Sequence, residues 1–255
     1  MFSTDFESVP HSTPSLPAFD PPSALARHLQ SFPLFADLLL DEIERALPLI
    51  NVANYPRRAC IFHVQEPADA VYMLVSGLVK VSYMNLRGDE KTISLFQAGD
   101  IFGELFLGKY PLRIGTACVL EDACVLKIYR THLTTLLTRF PALNLRFIAH
   151  LADEQRELLA RLHALMHTDA RHRLLGTLLS LARRATASDT LWVELPYSLT
   201  QEVIANLACL NRSTANILIN QLRAEGVLGG SGRRLLVNRS AVQAWLDAEG
   251  ADILE

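Results

Sequence analysis

Several things are scarce in this 255-residue chain, and each scarcity excludes something. There are four cysteines, Cys60, Cys118, Cys124 and Cys209, with no CxxC spacing among them, so neither a zinc knuckle nor an iron–sulfur cluster is indicated. Isolated buried thiols are expected instead. Long apolar runs are missing: none approaches the about 18–20 residues that a membrane span requires. No N-terminal signal pattern is present either, which together predicts a cytoplasmic protein with no membrane partner. Lysine disappears between residues 170 and 240, where nine arginines face four acids for a net +5. With a whole-chain net charge of −3, the remainder then carries −8. A basic segment on an acidic body points to a polyanionic partner for that segment.

Proline, by contrast, crowds the first 23 residues (Pro10, Pro14, Pro17, Pro21 and Pro22), so residues 1–23 are expected to be a flexible tail. The apolar spacing of "LARHLQSFPLFADLLLDEIERALPLI" predicts two short helices broken near Pro33. From Arg58 to Tyr129 the pattern becomes short alternating runs, among them "AVYMLVSG", "LVKVSYM", "RIGTACVL" and "ACVLKIY". Turn signals separate them at Arg87-Gly88-Asp89, Ala98-Gly99-Asp100 and Glu121-Asp122. Such strands predict an antiparallel barrel or sandwich, with no βαβ alternation.

One long helix is expected over 131–167. In it Ile148, Leu151, Gln155, Leu158, Leu162 and Leu165 recur at alternating spacings of three and four. That is a coiled-coil seam with one polar position, and it predicts a parallel homodimer. The alternative is burial of the seam against the chain's own barrel.

The last third reads as helices followed by a hairpin. Within "LTQEVIANLACLNRSTANILINQLRAEGVL" two helical runs meet near Ala208–Asn211. Asn211 suits an N-cap, its carboxamide meeting the amide of Ser213 or Thr214. Arg212, Ser213 and Asn216 then share the start of one helix face, backed by Leu218, Leu222 and the preceding helix. That is the design by which a helix-turn-helix enters the major groove, where Arg212 would read guanine and Asn216 adenine. From spacing alone, an ordinary helical hairpin explains the stretch equally well.

On these residues the chain resembles the Crp/Fnr family of bacterial transcription regulators. Thr200, Gln201, Glu202, Leu207, Arg212, Thr214, Asn220, Leu222, Arg223, Glu225 and Gly226 fit its helix-turn-helix without a gap. Gly77, Gly88, Gly99 and Gly103 match the turn glycines of its β-roll. The resemblance covers about residues 25–245. It implies an α+β chain: a double-stranded β-helix (jelly-roll) domain of the cyclic-nucleotide-binding kind over 24–130, a dimerisation helix over 131–167, and a winged helix-turn-helix over 168–255. It implies a homodimer on double-stranded DNA, with RNA polymerase as a candidate partner and no catalysis. Thr200, Ser213 and Thr214 join Arg212 and Asn216 as DNA-contacting candidates, and Arg233 and Arg234 as phosphate contacts from the wing. Three departures alter specificity: Ser213 replaces the family's usual glutamate, Ile217 a second arginine, and Cys209 the turn glycine.

In the family's cyclic-AMP-binding members, Gly-Glu-Leu opens a short helix and Arg-Ser/Thr-Ala follows. Helix amides and the arginine hold the phosphate, and the glutamate holds the ribose. Here Gly103-Glu104-Leu105 and Thr116-Ala117 match, but Gly115 occupies the arginine's place. The nearest cation is Arg113, two residues earlier, a shift of ~7 Å if the segment is a strand. Leu158-Leu159 also stand where the cyclic-AMP receptor puts a threonine–serine pair against adenine. Both changes disfavour cyclic AMP, unless Arg113 stands in for the missing arginine. The tail holds no cysteine cluster for an iron–sulfur sensor, and His63, His150, His163 and His167 are the weak candidates for an axial haem ligand. A reading of a different class is an effector-binding enzyme accessory or interaction protein whose last domain no longer binds DNA, which Arg212, Arg233 and Arg234 oppose.

Overall fold

Pro22 sits well in the first turn of a helix, where its missing N–H has no intrahelical bond to make. In a computed structural model of the chain, which describes residues 22–86, 88–167, 169–184, 191–195, 199–230 and 235–250, it opens helix α1 (Pro22–Gln30). Pro22 and Ser23 therefore belong to a helix and not to the expected tail. Phe32, forced to extended geometry by Pro33 (φ −77°, ψ 135°), separates α1 from α2 (Leu40–Ala46) as anticipated.

The described chain forms two units: Met1–Val79 with Phe96–Arg146, and Lys80–Leu95 with Phe147–Glu255. The N-terminal sheet has six strands: β1 (Asn51–Tyr55), β2 (Cys60–Phe62), β3 (Ala70–Met84), β4 (Glu90–Gln97), β5 (Ile101–Phe102) and β6 (Thr116–Tyr129). The sheet order is β1-β6-β3-β4, with β2 also on β6 and β5 also on β3. Hence β1 takes one stretch of β6, pairing Asn51 with Lys127, while β2 takes another, pairing Cys60 with Cys118.

Two readings need correction here. The runs on either side of Gly77 are one strand, and Glu121-Asp122 lies inside β6 instead of forming a turn. Gly77 has φ +94°, and a Cβ there would stand 2.4 Å from the Asp122 carbonyl oxygen. The glycine is needed for the close approach of two long strands, which locally resembles a turn signal. Strand β1, ahead of Arg58, went unanticipated.

The roll's interior is aromatic. Phe102 stacks on Tyr72 at 5.3 Å and on Phe96 at 4.9 Å, and Phe62 lies 5.7 Å from Tyr72. Stacking at these separations adds to the area buried.

The expected long helix is two helices, α3 (Arg130–Arg139) and α4 (Pro141–His167). Pro141 pushes Phe140 out of helical geometry, to φ −123° and ψ 92°. After α4 come α5 (Ala170–Arg184), β7 (Trp192–Glu194), α6 (Gln201–Leu207), α7 (Arg212–Ala224), β8 (Leu228–Gly229), β9 (Leu236–Asn238) and α8 (Arg239–Gly250). The sheet order is β7-β9-β8, a small antiparallel wing behind three helices. Neither β7 nor α8 was foreseen; Asn238 caps α8 by accepting from the Ala241 amide at 3.1 Å. The architecture is thus α+β, with the β-roll first and the winged helix-turn-helix last.

Candidate effector cradle and nucleic-acid interface

The cradle begins where β5 ends. Gly103 turns the chain at φ +88°, and Glu104–Leu107 follow as a single 3₁₀ turn with Leu105 half exposed. A Cβ on Gly103 would meet Arg113 Nη1 at 2.9 Å and Tyr72 Cδ2 at 3.1 Å, so the turn is closed around the arginine.

Arg113 does not lie on a strand. It sits in the irregular segment before β6, pinned by main-chain bonds from Gln65 N to its carbonyl (2.9 Å) and from its own N to Glu66 O (2.9 Å). The strand-based displacement of ~7 Å therefore does not apply. Its guanidinium reaches back into the cradle, donating from Nη1 to Gly103 O at 2.7 Å and from Nη2 to Ala70 O at 2.8 Å. Its plane covers the Phe62 ring at 4.2 Å, and Asp69 Oδ1 stands 3.8 Å away. The residue is 3% exposed, and Nε has no hydrogen-bond partner. Burial pulls its pKa below the usual guanidinium range, while Tyr72, Asp69 and Glu104 act to raise it.

Of the other cradle residues, Glu104 and Thr116 are half-buried. Thr116 Oγ1 accepts from the Val64 amide at 3.1 Å, and Ala117 is fully buried. A nucleotide phosphate needs several unspent donors at one point. Here both terminal nitrogens of the arginine are turned onto main-chain carbonyls, and the threonine hydroxyl is engaged as an acceptor by the Val64 amide. As oriented, a cyclic nucleotide phosphate would have to compete with the Gly103 and Ala70 carbonyls for the forked face of Arg113.

Leu158 and Leu159 are exposed on α4, offering an adenine no polar contact. Ile148, Leu162 and Leu165 are exposed there as well, Gln155 too, and Leu151 is half-buried. An apolar stripe therefore faces outward on this chain. Of the haem candidates, His63 and His163 are exposed, His150 is half-buried, and the side chain of His167 lies outside the described residues. Among the described residues no group of three or more His, Cys, Asp or Glu could hold a metal ion.

The reading helix is fixed by local rules. Thr200 caps α6, its hydroxyl accepting from Val203 N at 3.2 Å. Asn211 caps α7, its Oδ1 accepting from Thr214 N at 2.8 Å and from Ser213 Oγ at 2.7 Å. Between them Cys209 adopts φ +54°, the left-handed geometry that glycine takes without strain. Ala215, Ile219 and Leu222 are buried, with Leu218 half-buried behind them. That leaves Arg212, Ser213, Asn216, Ile217 and Asn220 exposed along one stripe, with Thr214 half-buried. The far end of α7 is tied to α5 by the Arg171–Glu225 ion pair, whose Nη1–Oε1 bond is 3.0 Å, and Arg171 also covers the Trp245 ring at 4.9 Å. Arg233 and Arg234 lie outside the described residues.

The cysteines depart from expectation. Only Cys124 is buried; Cys209 is exposed, and Cys60 and Cys118 are half-buried. Among the described residues no helix is long and apolar enough to cross a membrane.

Residues 52–140 match the cyclic nucleotide-binding domain family, and residues 172–245 match the Crp-like helix-turn-helix domain family. The cyclic AMP receptor protein of Thermus thermophilus is 29% identical over 200 residues, covering 78% of this chain and 89% of its own. The anaerobic regulatory protein of Bacillus subtilis is 24% identical over 225 residues, covering 87% and 94%. In fold, the structure of FixK2 from Bradyrhizobium japonicum is similar with a TM-score of 0.67 at 23% identity, over 76% of this chain and 96% of that one. A cyclic nucleotide-binding domain followed by a Crp-like helix-turn-helix, over most of the length of such relatives, makes this chain a member of the Crp/Fnr family of DNA-binding transcription regulators.

Proposed function

We propose that this regulator reads duplex DNA as a homodimer through the first turn of α7, and does so without cyclic AMP. The observation that carries the second half is Arg113, whose two terminal nitrogens are held by the carbonyls of Gly103 and Ala70. The first half draws support from the exposed stripe of α7 and from the apolar stripe on α4. In this reading Arg212 makes a forked contact to guanine and Asn216 pairs with adenine. Thr200, Ser213 and Thr214 add contacts beside them, and Arg233 and Arg234 hold phosphates from the wing. Two copies joined along Ile148, Leu151, Gln155, Leu158, Leu162 and Leu165 present two such helices to half-sites about 10–10.5 bp apart. The chain works by binding and not by catalysis, in the cytoplasm, with RNA polymerase as the partner that transcription control requires.

The second reading is a cyclic AMP receptor, favoured by the name of the Thermus relative. It places a cyclic nucleotide against Gly103, Glu104, Leu105, Thr116 and Ala117, with Glu104 on the ribose and Arg113, released from its carbonyls, on the phosphate. Calorimetry and operator binding separate the two. A ligand at 100 times its dissociation constant stabilises a protein by about 2.7 kcal/mol. Cyclic AMP at about 1 mM is therefore expected to leave melting and operator affinity unchanged, the sign of an absent site. Micromolar binding that is lost in Glu104→Ala establishes the second reading.

A further inference from the structure

We propose that Cys60 and Cys118 are a paired modification site, closing into a reversible cross-strand disulfide on exchange with a low-molecular-weight disulfide such as oxidised glutathione. The two residues are direct partners in the antiparallel β2–β6 ladder. Their position in that ladder is favourable. Arg58, at φ +72°, makes a one-residue bulge, so that Arg58 N donates to Val119 O at 2.8 Å and Val119 N donates to Ala59 O at 2.9 Å. The next pair along, Cys60 and Cys118, falls between ladder bonds. Such non-hydrogen-bonded pairs bring Cα atoms to about 4.5 Å, inside the about 4.4–6.8 Å range of disulfides.

Accessibility follows from the strand's alternation. Ala117 and Val119 are fully buried and face the interior, so Cys118 faces outward. The register shifts between Cys60 and Phe62, which lets Cys60 pair with Cys118 on that face while Phe62 pairs with Ala117, and both cysteines are half-buried. Cys124, on the same strand, is opposite Asn54 and enclosed, and burial pushes its thiol up. Cys209 belongs to the other unit. No disulfide joins the pair in this structure, and both sulfurs are thiols.

The chemistry balances as ordinary exchange. One cysteine loses its proton, and its thiolate attacks a glutathione sulfur, breaking that S–S bond and releasing one glutathione thiolate. The second cysteine gives up its proton and attacks the protein-side sulfur of the mixed disulfide, expelling the other glutathione. Two protein thiols are oxidised, one glutathione disulfide is reduced to two thiols, and the two protons pass to the departing glutathiones.

The bond would close a loop over residues 60–118, which contains the whole cradle. Cys60 stands two residues before Phe62, the ring beneath the Arg113 guanidinium, and Cys118 adjoins Ala117, the ladder partner of Phe62. Oxidation would lock the cradle's floor to its wall.

The test uses the full-length reduced protein equilibrated with oxidised glutathione, followed by non-reducing peptide mapping. The expected product has lost the mass of two hydrogens and contains one linked pair of peptides, bearing Cys60 and Cys118. Dithiothreitol reverses it. The unfolding midpoint of the roll rises on oxidation, because the crosslink restricts the unfolded chain. Cys209→Ser keeps the crosslink, and Cys60→Ser or Cys118→Ser abolishes it. Stable glutathione adducts on both Cys60 and Cys118, a bond that uses Cys124 or Cys209, or thiols left unmodified would each overturn the proposal. Mapping of the unsubstituted protein decides the matter even where a serine variant fails to fold.

Discussion

Replacing Arg113 with alanine should destabilise the β-roll in the complete absence of ligand. The guanidinium donates to the main-chain carbonyls of Gly103 and Ala70, in a site where the residue is 3% exposed. Bonds from a charged donor contribute roughly 1.5–3 kcal/mol each, so losing two removes ~3–6 kcal/mol. Freeing the fold from the desolvation of a buried cation returns part of that, leaving a net cost of ~2–4 kcal/mol. At about 2–4 °C per kcal/mol for a chain of this size, the roll's melting midpoint falls by ~4–16 °C. Arg113→Met keeps a stem against Phe62 while deleting both bonds, so it separates hydrogen bonding from packing and should recover a minor share. Differential scanning calorimetry of the full chain, with and without cyclic AMP, reads both quantities. A loss below ~0.5 kcal/mol in the ligand-free protein refutes the reasoning, since surface substitutions without a structural role fall in that range. A normal ligand-free midpoint combined with loss of a cyclic-AMP-induced rise would mean that Arg113 is a ligand contact and not an internal staple.

Other expectations follow from the same geometry. Arg212→Ala should cost ~1–3 kcal/mol at the best operator and relax preference at one base pair per half-site, whereas neutralising Arg233 and Arg234 should weaken all sequences alike and flatten the salt dependence; titrations of two operators at several salt concentrations distinguish these. Leu162→Glu, in the exposed apolar stripe of α4, should leave a monomer by light scattering, and an unchanged dimer would place the interface elsewhere. Cys209→Val should cost ~1–3 kcal/mol because a β-branched residue is strained at φ +54°, whereas Cys209→Gly should melt no lower than the parent. Asp169 caps α5, accepting from the His172 amide at 2.8 Å; this bond, with burial opposing it and the His172 side chain assisting, holds its pKa below the usual 3.8. A depressed carboxyl pKa contributes stability that is complete above the unfolded-state value and is lost as pH falls through the folded one. Acidification below pH 3.8 should therefore lower the midpoint of the parent more than that of Asp169→Ala.

Where the determinant was local, the sequence was legible. Asn211 announced the start of α7 because capping couples one side chain to an amide three residues on, and the buried set Ala215, Ile219 and Leu222 follows from helical periodicity. Phe140-Pro141 carried an equally local signal, passed over because the apolar spacing runs through it. Gly77 and Glu121-Asp122 were misread for the opposite reason. Each looks like a turn by composition, and only the approach of β6 to within 2.4 Å of a Cβ on Gly77 shows why the glycine is there. Strand β7 is three residues long, and its pairing with β9 is nonlocal, so nothing in its immediate neighbourhood marks it.

The cradle shows how such an error reaches function. Counting two residues from Gly115 back to Arg113 along an imagined strand puts the arginine out of reach. The chain there is not a strand: Pro67 bridges Leu112, and Gln65 at φ +69° turns its segment onto Arg113. That loop returns the guanidinium to the cradle, pointed at the carbonyls of Gly103 and Ala70. Proximity to the cradle is therefore a poor guide to ligand binding, and the disposition of the donors decides. A phosphate that took the forked donors of Arg113 from the Gly103 and Ala70 carbonyls would break two charged hydrogen bonds in a buried site, at roughly the cost worked out for Arg113→Ala, before any affinity is gained. A fit of ~2–4 kcal/mol lost to rearrangement weakens binding by ~30- to 700-fold, at about 1.4 kcal/mol per factor of ten. An effector of this β-roll is thus better served by chemistry that leaves Arg113 where it is.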